Sequence, residues 1–398
     1  MRKNHLLFYL FTLFLLSENI DGQALNTENI KTELPQIIPA SPTVASLMKF
    51  EEVPVSGYTG IPDINIPLYK LSTHSKDIEL DISLKYHPSN VKADNVAGDV
   101  GLGWSIFAGG TISRTVRGLP DEELVMAGTS QNGKVGIYHT TINNHNNIYY
   151  QWIENPVNFE QNNPNIANEY YWETAENGKY DTEHDLWQFN FMGNTGSFYL
   201  KKIGNQLTVE PLNDYRLNIQ THFETHYNQP YTPKGFTIFD EKGYKYIFDV
   251  YETTIKSTDG LHHTIQNNNN VSFNTHSDEK EFRSSFHLTK VIDSNNKTVF
   301  DISYDDTVFK ENNLQYNKTR NKYDNAALNA MKYANCWGEI PPMESTVISN
   351  NIVTTKKIKT ITIADKAIID FTYLTGRDDY STNSSTPFLK EIQLKNIN

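Results

Sequence analysis

Ile78-Glu79-Leu80-Asp81-Ile82-Ser83-Leu84-Lys85-Tyr86 is the stretch that decides the fold class. Apolar side chains take every second position, and charged or hydroxylated ones take the rest. A helix would scatter that pattern around its circumference, whereas an extended chain collects it on one face. The segment therefore predicts a strand with one buried side. Upstream, Ile64, Ile66 and Leu68 alternate with Asn65 and Pro67 in the same way. Downstream, Trp187, Phe189 and Phe191 share one parity, and Gly193, Asn194 and Gly196 mark the turn into Ser197-Phe198-Tyr199-Leu200. Three more hairpins are predicted. Phe236–Phe239 pairs with Tyr244–Phe248, Phe286–Ile292 with Phe300–Tyr304, and Lys357–Ile363 with Ile369–Tyr373. Gly109-Gly110 between Ser105-Ile106-Phe107 and Thr111-Ile112-Ser113 predicts another, since glycine accepts the positive φ of tight hairpin turns.

Composition agrees. The 398 residues include 23 Tyr and 20 Phe, and aromatic and β-branched residues suit a pleated, half-buried surface. The fold class is all-β: meanders or sandwich-like shell sheets built from hairpins, with one short helical insertion. That helix is placed at Tyr323–Tyr333, inside a polar insertion at about 307–350, with Asp324 or Asn325 as N-cap. Short strands and long loops are expected from 125 to 180, and Gln266–Asn270 reads as a polar loop tip. A net charge of −12 argues against non-specific nucleic-acid binding, which rests on basic patches. Cys336 is the single cysteine, so neither an intramolecular disulfide nor a cysteine zinc site can form.

The N-terminus reads as a targeting segment. Arg2 and Lys3 precede an apolar run from Leu6 to Leu16, followed by Gly22 and Ala24 at cleavage-site spacing. A bilayer span needs about 20 apolar residues, so the run predicts a secretory signal rather than an anchor. The organisation that follows is a signal peptide at 1–24, an extended arm at 25–50, an N-terminal β region at 51–180 and a second β region at 181–398. The expected location is secreted or at the cell surface, with no stable membrane span after cleavage.

The densest motif runs from Gly101-Leu102-Gly103-Trp104-Ser105 through Gly109-Gly110-Thr111-Ile112-Ser113-Arg114 to Arg117-Gly118-Leu119-Pro120-Asp121-Glu122. Arg114 and Arg117 could pair with Asp94, Asp99, Asp121 or Glu122, which reads as a structural corner. With Gly60–Tyr69 and Ile82–His87, this run resembles the N-terminal region of secreted RHS/YD-repeat proteins (the Tc-toxin B/SpvB-like group) of the Bacteroidetes type. The resemblance is strongest at 57–123 and extends more weakly to 396. It implies a non-catalytic shell module, linked to toxin display or cell-surface contact, with a companion RHS/YD-repeat polypeptide as partner. No YD repeats and no toxin region follow in this sequence, so a delivery role is not implied for this chain alone.

Spacing offers other candidate chemistry. His222, Glu224 and His226 would share one face of a strand and could hold Zn²⁺ or Fe²⁺; an exposed polar strand is the plainer reading, and no cofactor is expected. Asp301, Asp305 and Asp306 could hold Ca²⁺ but lack the glycine and glutamate of an EF-hand loop. Gly101-Leu102-Gly103 lacks the third glycine and the helix of a dinucleotide loop. Tyr149, Tyr150, Trp152, Tyr170, Tyr171 and Trp172 lie amid Asn and Gln. Trp152, Tyr171 and Trp172 are therefore candidates for contact with a cell-surface glycan, against ordinary core packing.

Overall fold

A computed structural model describes residues 64–88, 97–124, 135–142, 145–175, 178–224, 231–266, 269–278, 281–305, 309–322, 343–377 and 387–397, together with Pro62 and Val91. The signal peptide and arm expected at 1–50, the helix expected at Tyr323–Tyr333 and Cys336 all lie outside these residues.

The chain is all-β, as its alternation predicts. β1 (Ile64–Ser72), β2 (Glu79–Tyr86) and β3 (Trp104–Ala108) form a three-stranded antiparallel sheet. In β2 the deciding pattern is realised: Leu80 and Ile82 are fully buried, and Glu79 and Asp81 face water. The second sheet has 15 strands. It contains β4 (Gly110–Thr115), β7 (Leu186–Phe191), β8 (Asn194–Ile203), β9 (Gln206–Pro211), β10 (Leu217–Phe223), β11 (Pro233–Asp240), β12 (Lys245–Gln266), β13 (Asn269–Asp278) and β14 (Phe282–Ile292). β15 (Thr298–Tyr304), β16 (Phe309–Arg320), β17 (Glu344–Thr355), β18 (Ile358–Ile363), β19 (Ala367–Leu374) and β20 (Phe388–Asn396) complete it. β5 (Thr141–Ile142) and β6 (His145–Asn146) make a small separate pair.

Four predicted hairpins are present as β7/β8, β11/β12, β14/β15 and β18/β19. The one predicted at Gly109-Gly110 is not. β3 pairs with β2 in the small sheet, whereas β4 pairs with β7 and β14 in the large one. The two glycines therefore carry the chain from one sheet to the other. Gly109 sits at φ +98, and a Cβ there would lie 2.5 Å from Ile302 Cδ1. β4 is an inner strand between β7 and β14, so the boundary expected between residues 180 and 181 does not separate two sheets.

The core is aromatic. Trp187 meets Phe236 edge-on at 5.1 Å, Phe236 meets Phe286 at 5.2 Å, and Phe191 meets Tyr246 at 4.8 Å between ring centroids. These contacts pack the β7/β8 face against β11, β12 and β14. Tilted and edge-on pairs of this kind exploit the ring quadrupole beyond simple area burial.

Two further expectations are corrected. Residues 148–175 are helical: α1 (Ile148–Glu154), α2 (Pro156–Asn162) and α3 (Pro164–Ala175) replace the expected strands and loops. The signal was present in Asn155-Pro156 and Asn163-Pro164. Proline is tolerated at the first helical position, and the Asn155 side chain caps α2 by accepting from Asn158 N at 3.1 Å. Nor is 307–350 wholly an insertion, since Phe309–Arg320 and Glu344–Thr355 pair in unbroken register as β16 and β17. The polar tip expected at Gln266–Asn270 closes the β12/β13 ladder at Gln266 and Asn269.

β12 is the spine of the large sheet. Its first part pairs with β11 and β14, and its second part with β17 and β13. Four strands in the order β13-β12-β17-β16 thus extend beyond the aromatic core. Among the described residues β13 and β16 are each paired on one side only.

Candidate functional site

Three places gather chemistry: a buried carboxylate corner, a helical aromatic cluster and the four-stranded extension.

The corner is built on the motif that the sequence singles out. Gly101 and Gly103 form the turns before β3, where Trp104 is half-buried against Tyr86 at 5.2 Å. β4 then delivers Arg114 into the interior. Its Nη1 and Nη2 donate to the two carboxylate oxygens of Glu122 at 2.8 and 2.5 Å. Its Nε donates to Asp185 Oδ2 at 2.8 Å, with Nη2 donating to the same oxygen. Trp187 stacks under the guanidinium at 5.1 Å. A fork-to-fork pair of this kind combines charge with fixed geometry. Arg117 contributes its backbone N–H, which donates to Asp185 Oδ1 at 2.8 Å. Asp99, an expected partner, pairs instead with Lys357 at 2.7 Å, and Asp94 lies outside the described residues.

Asp121 and Asp185 lock together across 64 residues. Asp121 N donates to Asp185 Oδ2 at 3.2 Å, and Asp185 N donates to Asp121 Oδ1 at 3.1 Å. Asp181 accepts from the backbone of Leu119 at 3.2 Å and of Glu183 at 3.3 Å. Gly118, at φ +73, leaves no room for a Cβ beside the Asp181 carboxylate. Pro120 is buried, and its carbonyl accepts from Glu123 N at 2.8 Å. One arginine thus faces several buried carboxyls. Burial pushes Asp121, Asp181 and Asp185 each up to about 7, with like charges adding to it. His184 lies 3.3 Å from Asp121 Oδ2 and is packed by Tyr199 at 4.8 Å. Burial holds its imidazole down at about 4. The geometry fastens β4 and the segment that follows it to the start of β7, and every carboxylate described here has hydrogen-bond partners within the fold.

The helical cluster divides the glycan candidates. Trp152 packs against Phe159 at 5.9 Å and Tyr170 at 5.8 Å, inside a core with Ile142, Ile148 and Tyr180. It is partly buried and packs against that core. Tyr171 and Trp172 stand on α3 at 66% and 60% exposure. As helix neighbours they point about 100° apart, so they do not form one flat platform.

The proposed metal ligands do not converge. His222 Nε2 lies 2.8 Å from Thr237 Oγ1, Glu224 pairs with Arg283 at 2.5 Å, and His226 is outside the described residues. Asp301 pairs with Lys290 at 3.0 Å. Among the described residues no group of three or more His, Cys, Asp or Glu is placed to hold a metal ion. Nor is any helix there long and apolar enough to cross a membrane.

The four-stranded extension has two unlike faces. Register places Leu314, Tyr316, Ile348, Ile352, Ile255 and Leu261 on one face, interspersed with Asp259, Asn350 and Ser257. The other face carries Gln315, Asn317, Ser349, Asn351 and Thr258 together with Val347, Val353 and Phe273, the last exposed. Leu314 and Tyr316 are 55% and 62% exposed, and Ile255, Leu261 and Ile348 are exposed beside them. Sequence reasoning missed this surface because Asn and Lys dominate β16 and mask its alternation. Comparison with family models, with curated proteins and with solved structures returns no match.

Proposed function

We propose that the chain is a non-catalytic, exported structural and interaction module of the RHS/YD-repeat shell type, docking a companion polypeptide through the exposed face of the β13-β12-β17-β16 extension. The observation that carries this reading is the cluster of exposed apolar side chains at Leu314, Tyr316, Ile348, Ile255 and Leu261 on one face of the extension. Contiguous apolar side chains left in water beside a fully formed core are what an interaction surface looks like. The edge strand β16 also carries Lys310, Lys318 and Arg320. Edge lysines hinder indiscriminate strand-to-strand pairing, which favours a specific partner over self-stacking. The export half of the proposal rests on the N-terminal segment and the family half on the 57–123 motifs.

The test is site-specific photo-crosslinking of the intact chain in the cells that produce it. A crosslinker at Leu314 or Tyr316 is expected to capture one discrete polypeptide, and one at Gln315, on the opposite face, to capture none. Equal capture from both faces would overturn the proposal, as would none from either.

A second reading, glycan contact, is favoured by the exposure of Tyr171 and Trp172 alone. It expects glycan-array binding that is lost in the Tyr171→Ala/Trp172→Ala double variant.

A further inference from the structure

A pocket of about 510 Å³ opens beside the corner, lined among others by Tyr138, His139, Asn146, Asn147, Lys202, Asn205 and Tyr231. Its volume falls in the range of about 300–1,000 Å³ typical of small-molecule sites. Lys202, on β8, points its ammonium into the wall. One N–H donates to the carbonyl of Tyr138 at 2.7 Å, and the charge lies 4.6 Å from the centre of the Tyr231 ring. Its stem is half-buried, and among the described residues it meets no carboxylate. Burial alone holds its pKa below the ordinary lysine value, with no acid near enough to raise it. His139 adds no second positive charge, since burial and Lys202 hold it neutral, down at about 4.

A half-buried ammonium without an acid is costly unless an anion completes it. The rest of the lining says what else that anion carries. Asn146, Asn147 and Asn205 present side-chain amides, each both donor and acceptor, which suit hydroxyl groups. Tyr231 supplies an aromatic wall and is itself braced: its OH donates to Asn205 Oδ1 at 3.2 Å and its ring meets Tyr138 at 6.1 Å. Its backbone is held at φ +71, a conformation bulky residues rarely adopt, as Asn147 is at +56. One positive charge matches one carboxylate. A phosphate dianion would leave surplus negative charge close to the acidic corner, where His139 Nε2 already lies 3.1 Å from the Glu122 carbonyl.

We infer that this pocket binds an acidic sugar: a hydroxylated ring whose single carboxylate pairs with Lys202 and whose hydroxyls meet Asn146, Asn147 and Asn205 beside Tyr231. The site is separate from Tyr171 and Trp172 and does not depend on the docking face.

The test is calorimetric titration of the intact chain with D-glucuronate, with D-glucose, acetate and inorganic phosphate as comparators. Saturable binding of glucuronate is expected, weakening with added salt, with glucose and acetate each at least about tenfold weaker. Lys202→Met should weaken glucuronate binding by about tenfold or more, while Lys202→Arg retains most of it. Should Lys202→Met not fold, the exposed Asn205→Ala serves, with a several-fold loss expected. No saturation by about 20 mM glucuronate would overturn the inference. So would glucose or acetate binding equally well, phosphate binding more tightly, or indifference to substitution at both 202 and 205.

Discussion

At the scale of single residues, Arg114 holds the most at stake. It neutralises Glu122 and Asp185 at once, with its guanidinium almost wholly out of water. Arg114→Met keeps the stem's volume but strands two buried carboxylates. Breaking such a pair from one side costs about 3–5 kcal/mol, so the variant is expected to melt far below the parent or to fail to fold, as circular dichroism would read. Asp181 makes the opposite prediction. Burial raises its folded-state pKa to about 7, above the unfolded value of about 4. The folded state therefore holds the proton more tightly between those values. Stability falls as pH rises through that window and stays reduced above it. Leu119 and Glu183 donate to different oxygens of Asp181, so asparagine keeps one of the two acceptors, and it cannot ionise. The gain of Asp181→Asn on the parent in melting temperature should therefore be most favourable at pH 8 and should fall steadily as pH drops from about 7 towards 4. His139 and His184, whose folded pKa values are lowered, push the other way below about 6.5; His139 does so alike in both proteins, whereas His184 loses in the variant the Asp181 charge that raises it. A gain that does not vary with pH would show that Asp181 does not titrate as described. Arg114 and Glu122 could be paired from the motif because they lie eight residues apart. Asp185 could not, since 71 residues separate it from Arg114 and only the β4/β7 pairing brings them together.

At the scale of elements, period-two alternation located most strands, and their turns located four hairpins. It failed at Gly109-Gly110, where the local pattern is that of a hairpin but the partners of β3 and β4 lie in different sheets. Pairing choice is a long-range decision: Gly110 lies opposite Phe191 in the β4/β7 ladder, where a Cβ at 110 would collide with Phe191 Cβ. Gly109→Ala is accordingly expected to be costly for two separable reasons. The φ of +98 disfavours any Cβ by roughly 1–2 kcal/mol, and the collision with Ile302 adds a further overpacking cost of about 1–3 kcal/mol. Pairing it with Ile302→Val should recover only the second part, which denaturant unfolding of the single and double variants measures. If the double variant recovers everything, the backbone at 109 is not strained. The helices at 148–175 were misread for the converse reason. Tyr, Trp and Ile favour strands on average, yet two Asn-Pro starts and burial of Phe159, Ala167 and Tyr170 on one side overrode that preference.

At the scale of the whole molecule, the question is why an apolar sheet face stands in water. Stability does not require it. The aromatic core is closed without Leu314 and Tyr316, both more than half exposed. Replacing both by threonine keeps strand preference and removes apolar surface. Surface changes of this sort usually move stability by no more than about 0.5 kcal/mol, so the double variant should melt with the parent. Binding is another matter. Covering side chains of this size is worth on the order of 1 kcal/mol each at about 25 cal/mol per Å². Losing two of them should weaken capture of a companion by one to two orders of magnitude, about 1.4 kcal/mol corresponding to each tenfold. Light scattering of the purified chain separates the alternatives to a heterologous partner. A monomer at every concentration leaves the face for a companion. Concentration-dependent growth in the parent, absent from the Leu314→Thr/Tyr316→Thr variant, would assign the face to a second copy instead. Growth that persists in the variant would point to the open edges of β13 and β16, where backbone groups rather than side chains make the contact, and the apolar face would then lose its claim as the docking surface.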